Sequence, residues 1–178
     1  MKAEYDDYLC RTYPKLYKER GMSMRQTCMC WGFEVGDGWF NILNGLSMAI
    51  QSHIAHNTRE RWRARKEIRK YAAMIPEEQA KHQWMDKEMP DRVWQVTVTQ
   101  VKEKFGSLRF YYNGGDDAIH NFVQMAECMT YVTCEQCGAP GTMSGGGWMS
   151  VKCQACGGDD FFNPGPEITE DDLAGEEA

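Results

Sequence analysis

The chain of 178 residues carries 20 Lys and Arg against 26 Asp and Glu, a formal net charge of −6, and 42% apolar residues. That is one ordinary domain, or a domain with a small module, large enough to bury a core. Mean hydropathy is −0.62, no apolar run approaches the roughly 18–20 residues of a bilayer span, and the polar, acidic start Met1–Asp7 predicts no signal peptide. The composition also excludes a collagen, a coiled coil and a wholly disordered chain.

The charge is unevenly placed. Residues 159–178 hold eight acids and no base, which leaves 18 acids against 20 bases for residues 1–158. The acidic end, with Pro164, Gly165 and Pro166 in it, is read as a disordered, solubilising tail. The sharper alternative is an electrostatic decoy that mimics nucleic acid or covers a basic patch.

In chain order, a short helix is expected around Glu4–Tyr13, stopped near Pro14. Asp37-Gly38 is a turn signal between the aromatic flanks Trp31–Phe33 and Trp39–Phe40. Over Asn41–His56, Ile42, Leu43, Leu46, Ala49, Ile50 and Ile54 recur at helical spacing. Arg59–Lys70 holds seven bases and two acids, and reads as a basic amphipathic helix or the continuation of the previous one. Its thin apolar stripe is Trp62, Ile68, Tyr71 and Ile75, and its end is marked by Pro76. Residues 76–92 read as a linker with a helical turn or two.

The period then changes. Trp94, Val96 and Val98 alternate with Gln95, Thr97 and Thr99, a half-buried strand over Val93–Val101. Leu108, Phe110 and Tyr112 alternate likewise, and the connection Lys102–Ser107 with Gly106 makes an antiparallel hairpin. After Asn113-Gly114-Gly115, Asp116 or Asp117 offers a helix N-cap. Ile119, Phe122, Val123, Ala126 and Met129 form the apolar face of a helix over 116–130.

Four of the eight cysteines fall as Cys134-x2-Cys137 and Cys153-x2-Cys156 with fifteen residues between the pairs. That is the spacing of a structural zinc site. A two-residue gap lets both thiolates of one turn face one ion, and two such turns complete a tetrahedron. Gly138 and Gly157 follow the pairs, where a positive φ is commonly needed. Gly141–Lys152 is expected to form the ribbon's hairpin, with Gly145–Gly147 at the bend and Trp148 and Val151 on the return strand. Two disulfides or redox pairs are the alternative, disfavoured by the lack of a secretory signal. One structural Zn²⁺ is therefore expected. A second site from Cys28, Cys30, His53 and His56 is weighed against the commoner case of buried free thiols and surface histidines.

Three stretches, 27–46 (TCMCWGFEVGDGWFNILNGL), 98–117 (VTQVKEKFGSLRFYYNGGDD) and 134–156 (CEQCGAPGTMSGGGWMSVKCQAC), resemble small uncharacterised proteins encoded by tailed bacteriophages and prophages. The resemblance spans most of residues 10–158. It implies a phage context, the cytoplasm of an infected bacterium, and a C-terminal zinc ribbon, and it transfers no catalytic residue.

The expected fold is α+β: a body over 1–130, in which an N-terminal helical part packs on a β-hairpin and a helix, a zinc ribbon over 131–158, and the tail 159–178. The expected function is non-enzymatic binding of a host or phage protein. The alternative is a nucleic-acid-binding module using the basic helix, with Arg61, Arg65 and Arg69 on phosphates and Trp62 stacked on an unpaired base, together with the ribbon. An enzyme would have to draw on Glu34, Asp37, His53, His56 and His120, but no phosphate loop, nucleophile elbow or HExxH motif is present.

Overall fold

A computed structural model describes residues 1–144 and 149–158. The elements, in order, are α1 (Ala3–Thr12), β1 (Phe33–Glu34), α2 (Phe40–Ala72), α3 (Pro76–Lys81), β2 (Trp94–Lys104), β3 (Ser107–Gly115), α4 (Asp117–Thr130), β4 (Thr142–Ser144) and β5 (Ser150–Lys152), with short 3-10 turns between them. The fold is mixed α+β. No helix among the described residues is long and apolar enough to cross a membrane. The expected hairpin bend at Gly145–Gly147, Trp148 and the acidic tail lie outside the described residues.

The two helical segments expected over 41–56 and 59–70 are one helix of 33 residues. Asn57 and Thr58 do not interrupt it because both side chains find partners. Thr58 Oγ1 donates to the Ile54 carbonyl at 2.9 Å, and Asn57 grips the chain before β2, as described below. The first half of α2 buries Ile42, Leu43, Leu46 and Ile50, while the second half buries only Ala64. The expected stripe there is corrected: Trp62 and Ile75 are exposed. The helix ends at Ala72, and Pro76 opens α3 rather than closing α2, since a missing N–H costs nothing at the first helical position.

Strands β2 and β3 form the expected hairpin, and β1 adds in parallel to β2 with Phe33 opposite Val101. The connection is tighter than expected: strand pairing runs to Lys104–Ser107, leaving Phe105-Gly106 as the turn, both at positive φ. That is the backbone handedness a two-residue hairpin requires. Strand β2 carries two bulges, one between Trp94 and Thr97 and one between Val98 and Gln100. Each inserts one residue and flips the inward phase. Val96 and Val98 therefore point inward, the next inward residue is Val101, and Trp94, expected inward, is exposed.

The bulges also free backbone groups that the N-terminal segment uses. Val98 N–H donates to the Leu16 carbonyl at 2.9 Å, and Thr27 Oγ1 donates to the Thr99 carbonyl at 3.1 Å. The other sheet edge is closed by α4, where Thr130 Oγ1 and Glu127 Oε1 accept from Leu108 N and Phe110 N. Thr130, rather than Met129, takes the buried position at the end of α4.

The N-cap of α4 is Asp116, whose carboxylate accepts from Ile119 N. The core is continuous across α1 (Leu9), Phe33 of β1, the neighbouring residues Met29, Val35 and Trp39, the inner face of α2, the valines of β2, Leu108 and Phe110, and Ile119, Val123 and Ala126 of α4.

Candidate metal centre

Cys134, Cys137, Cys153 and Cys156 converge: their Sγ atoms all lie within 4.8 Å of one another, and Cys137 Sγ is 3.5 Å from Cys153 Sγ. No pair is bonded, and 3.5 Å is far beyond the roughly 2.05 Å of a disulfide. A tetrahedron of sulfurs about 2.3 Å from a central ion has edges of about 3.8 Å, so the four sulfurs fit one metal ion. Cys134 and Cys153 are buried, and Cys137 faces solvent.

Local chain geometry produces this convergence. After each pair the backbone turns left-handed, with φ of 79° at Gly138 and 85° at Gly157. Cys134 N–H donates to the Ala139 carbonyl, and Gly138 N–H to the Cys134 carbonyl. Burial pushes the Cys134 thiol up, but backbone N–H groups of Cys153, Cys137 and Gln136 aimed at its sulfur outweigh that and bring it down to about 7. Such N–H groups favour the thiolate that a metal needs. The Cys156 thiol, sharing hydrogen bonds with Cys153 and Cys137, is pushed up to about 12. Strands β4 and β5 pair in register beyond the turns, and Val151 of β5 is fully buried.

Sequence reading missed what the first cysteine turn rests on. The loop Gly36-Asp37-Gly38 lies directly against residues 134–138. Gly38 N–H donates to the Glu135 carbonyl at 2.8 Å, and Gly36 N–H donates to Glu135 Oε1 at 2.8 Å. The fully buried Trp39 donates its indole N–H to the Thr133 carbonyl at 2.9 Å. A Cβ on Gly38 would collide with the Cys134 carbonyl oxygen and the Gly138 nitrogen, and one on Gly36 with the Glu135 carbonyl oxygen. Burial holds the Glu135 carboxyl above its ordinary range. The only signal in the sequence was the paired glycines, read there as a turn.

Other candidates are occupied elsewhere. Asp37 accepts from the backbone N–H of Lys2 at 2.6 Å and faces its ammonium at 3.3 Å. Glu34 Oε2 accepts from Gln100 Nε2 at 3.4 Å. Cys28, Cys30, His53 and His56 do not assemble: among the described residues the only such cluster is the four-cysteine one. His53 instead donates from Nε2 to Asp116 Oδ2 at 2.8 Å, joining α2 to the N-cap of α4. His120 is exposed on α4.

The basic half of α2 lines a cleft of about 410 Å³ with the segment before β2. That segment, residues 90–93, is strapped to the helix. Asn57 Nδ2 donates to the Asp91 carbonyl at 2.9 Å, and Asn57 Oδ1 accepts from Val93 N at 3.0 Å. Arg61 donates to the Pro90 carbonyl. Of the residues expected to meet nucleic acid, Arg61, Trp62 and Arg65 line this cleft, and Arg69 does not. Lys15 and Arg92 join them from elsewhere in the chain, which no local spacing could have disclosed.

No family model, no curated protein and no solved structure matches the chain.

Proposed function

We propose that this chain is an accessory protein of tailed bacteriophages or prophages that acts in the cytoplasm of the infected bacterium by binding a macromolecule of host or phage. Its metal is one zinc ion with a structural role. The observation that carries the reading is the closure of the cysteine cluster. Four sulfurs fill a tetrahedron, so a bound ion has no position left for substrate, and the first cysteine turn is spent on holding the loop 36–38. All-sulfur tetrahedral coordination selects zinc or iron. The zinc would lock the two cysteine turns to each other, and Glu135 and Gly38 would transmit that order to the loop on which α2 begins.

Two measurements test the reading. Elemental analysis of protein purified without an affinity metal is expected to give about one zinc per chain; iron with thiolate charge-transfer absorbance, or no metal, would overturn the zinc assignment. Affinity capture from infected cells, with and without nuclease, is expected to recover a saturable partner. A chain that recovers none, and instead turns over a small molecule, would overturn the binding reading.

A further inference from the structure

We propose that the cleft between the second half of α2 and the strap 90–93 is a binding site for single-stranded nucleic acid, taking two or three phosphates and one unpaired base. This names the ligand class for the binding reading above and rests on it. Lys15, Arg61, Arg65 and Arg92 converge on the cleft, and no acidic side chain lines it. Among the described residues none of the four has a carboxylate within 4.0 Å, whereas Lys2, Arg11, Arg20, Arg63 and Lys87 each have one. Four cations left without counter-charges around one concavity repel one another, and an anionic ligand relieves that repulsion.

The aromatic groups point to a base rather than to a bare anion. Trp62 is 59% exposed at the cleft, with Lys66 Nζ 3.8 Å from its ring centroid. Beyond the strap, Arg92 stacks on Trp94 at 4.1 Å, and Trp94 is itself 58% exposed. Large exposed indoles backed by cations are stacking platforms for unpaired bases.

The same geometry disfavours a duplex. Reading a major groove needs a helix free on the groove-facing side, but this face of α2 carries the strap, tied down by Asn57 and Arg61. Polarity across the strap is also set. The neighbouring cleft holds Glu60, Asp91 and Asp116 beside His53 and His56, which repels a phosphate chain and confines it to the cationic side. The ribbon is not part of the site: its described residues offer only Lys152 as a base.

The test is fluorescence anisotropy with a labelled twelve-residue oligothymidylate, the matching oligouridylate and a labelled duplex, on the full-length, metal-loaded protein. Binding of the single strands is expected to exceed that of the duplex. Three neutralised phosphates give a salt slope of about −2.1, or roughly a twentyfold loss between 50 and 200 mM salt. Trp62→Ala is expected to weaken binding by about tenfold, and the intrinsic tryptophan emission of the wild type to quench on binding. Arg61 supports the strap, so its replacement could loosen the fold. Lys15→Glu with Arg65→Glu, two exposed side chains, is the variant that decides, and it is expected to abolish binding with an unchanged unfolding midpoint. DNA and RNA binding equally supports the inference, as does preference for one of them. Tighter binding of duplex, insensitivity to Trp62→Ala, competition by inorganic phosphate alone at equal charge, or no anisotropy change at 50 mM salt would overturn it. In the last case a nuclease-resistant protein partner in the capture experiment would leave the binding reading standing and move it to another surface.

Discussion

Among the described residues the body encloses one continuous core of twenty buried side chains, from Leu9 to Ala126. The segment after Thr130 buries Cys134, Val151 and Cys153 and pairs two strands of three residues each. Burying Val151 contributes about 1.5–3 kcal/mol, far short of the conformational entropy of ordering more than twenty residues at about 1–2 kcal/mol each. A structural zinc contributes apparent energies of about 10–16 kcal/mol in small zinc modules. The body is held by apolar burial, and with the proposed zinc bound the cysteine module would be held by its ligands. The seam between them carries three hydrogen bonds: Gly38 N–H to the Glu135 carbonyl, Gly36 N–H to the Glu135 carboxylate, and the Trp39 indole N–H to the Thr133 carbonyl.

The largest effect should follow from removing the metal. Cys153→Ser, or chelation of the wild type, is expected to release the module and leave the body folded, because ligand binding and module folding are one equilibrium. Hydrogen exchange reads this directly. The amides of Gly38, Gly138 and Gly158, which donate to Glu135, Cys134 and Cys153, should lose protection, while those of Ile42–Ile50 keep it. Loss of protection throughout α2 would mean that the module is an integral part of the core.

The seam comes next. Gly38→Ala puts a methyl group against the backbone of Cys134 and Gly138 on one side and its own loop on the other. Neither side can rotate away as a side chain would, so the loop and the cysteine turn must separate. A loss of about 1–3 kcal/mol is expected from overpacking of this kind, with metal content retained and zinc release by a chelator accelerated. An unchanged urea midpoint would show that the two regions do not support each other.

The cysteine cluster was legible because metal ligation ties spacing to geometry: two residues between thiolates, glycine after each pair. The core helices and the hairpin were legible because their periods of 3.6 and 2 map onto faces. Three things were not. The bulges in β2 change the period inside one strand without a glycine or proline to mark them, so Trp94 was assigned to the wrong face. The continuity of α2 depends on partners that Asn57 finds thirty-odd residues away. The cationic cleft draws Lys15 and Arg92 from distant segments, and only folding places them beside Arg61 and Arg65. Long-range juxtaposition is invisible to local pattern, and it is what defines both the seam and the cleft.

The smallest effect lies within the body, at a joint that resembles the seam in being polar. Asp116 caps α4 through Ile119 N at 3.1 Å and meets His53 of α2 at 2.8 Å. Burial raises its carboxyl, but the His53 hydrogen bond and the Ile119 N–H outweigh it, leaving the value below 3.8. A carboxyl depressed in the folded state contributes its stability in full above the unfolded value and loses it as pH falls through the folded one. Asp116→Ala is therefore expected to cost about 1 kcal/mol at pH 7, the usual worth of an N-cap. The gap to the wild type should narrow below about pH 3.8 as the wild-type carboxylate protonates. Asp116→Asn keeps the acceptor for Ile119 N and removes the charge facing His53, so it should fall between the two at pH 7. Urea midpoints at pH 7 and pH 3 decide the matter. A gap that stays constant with pH would show that the cap geometry alone, and not the carboxylate charge, joins α4 to α2.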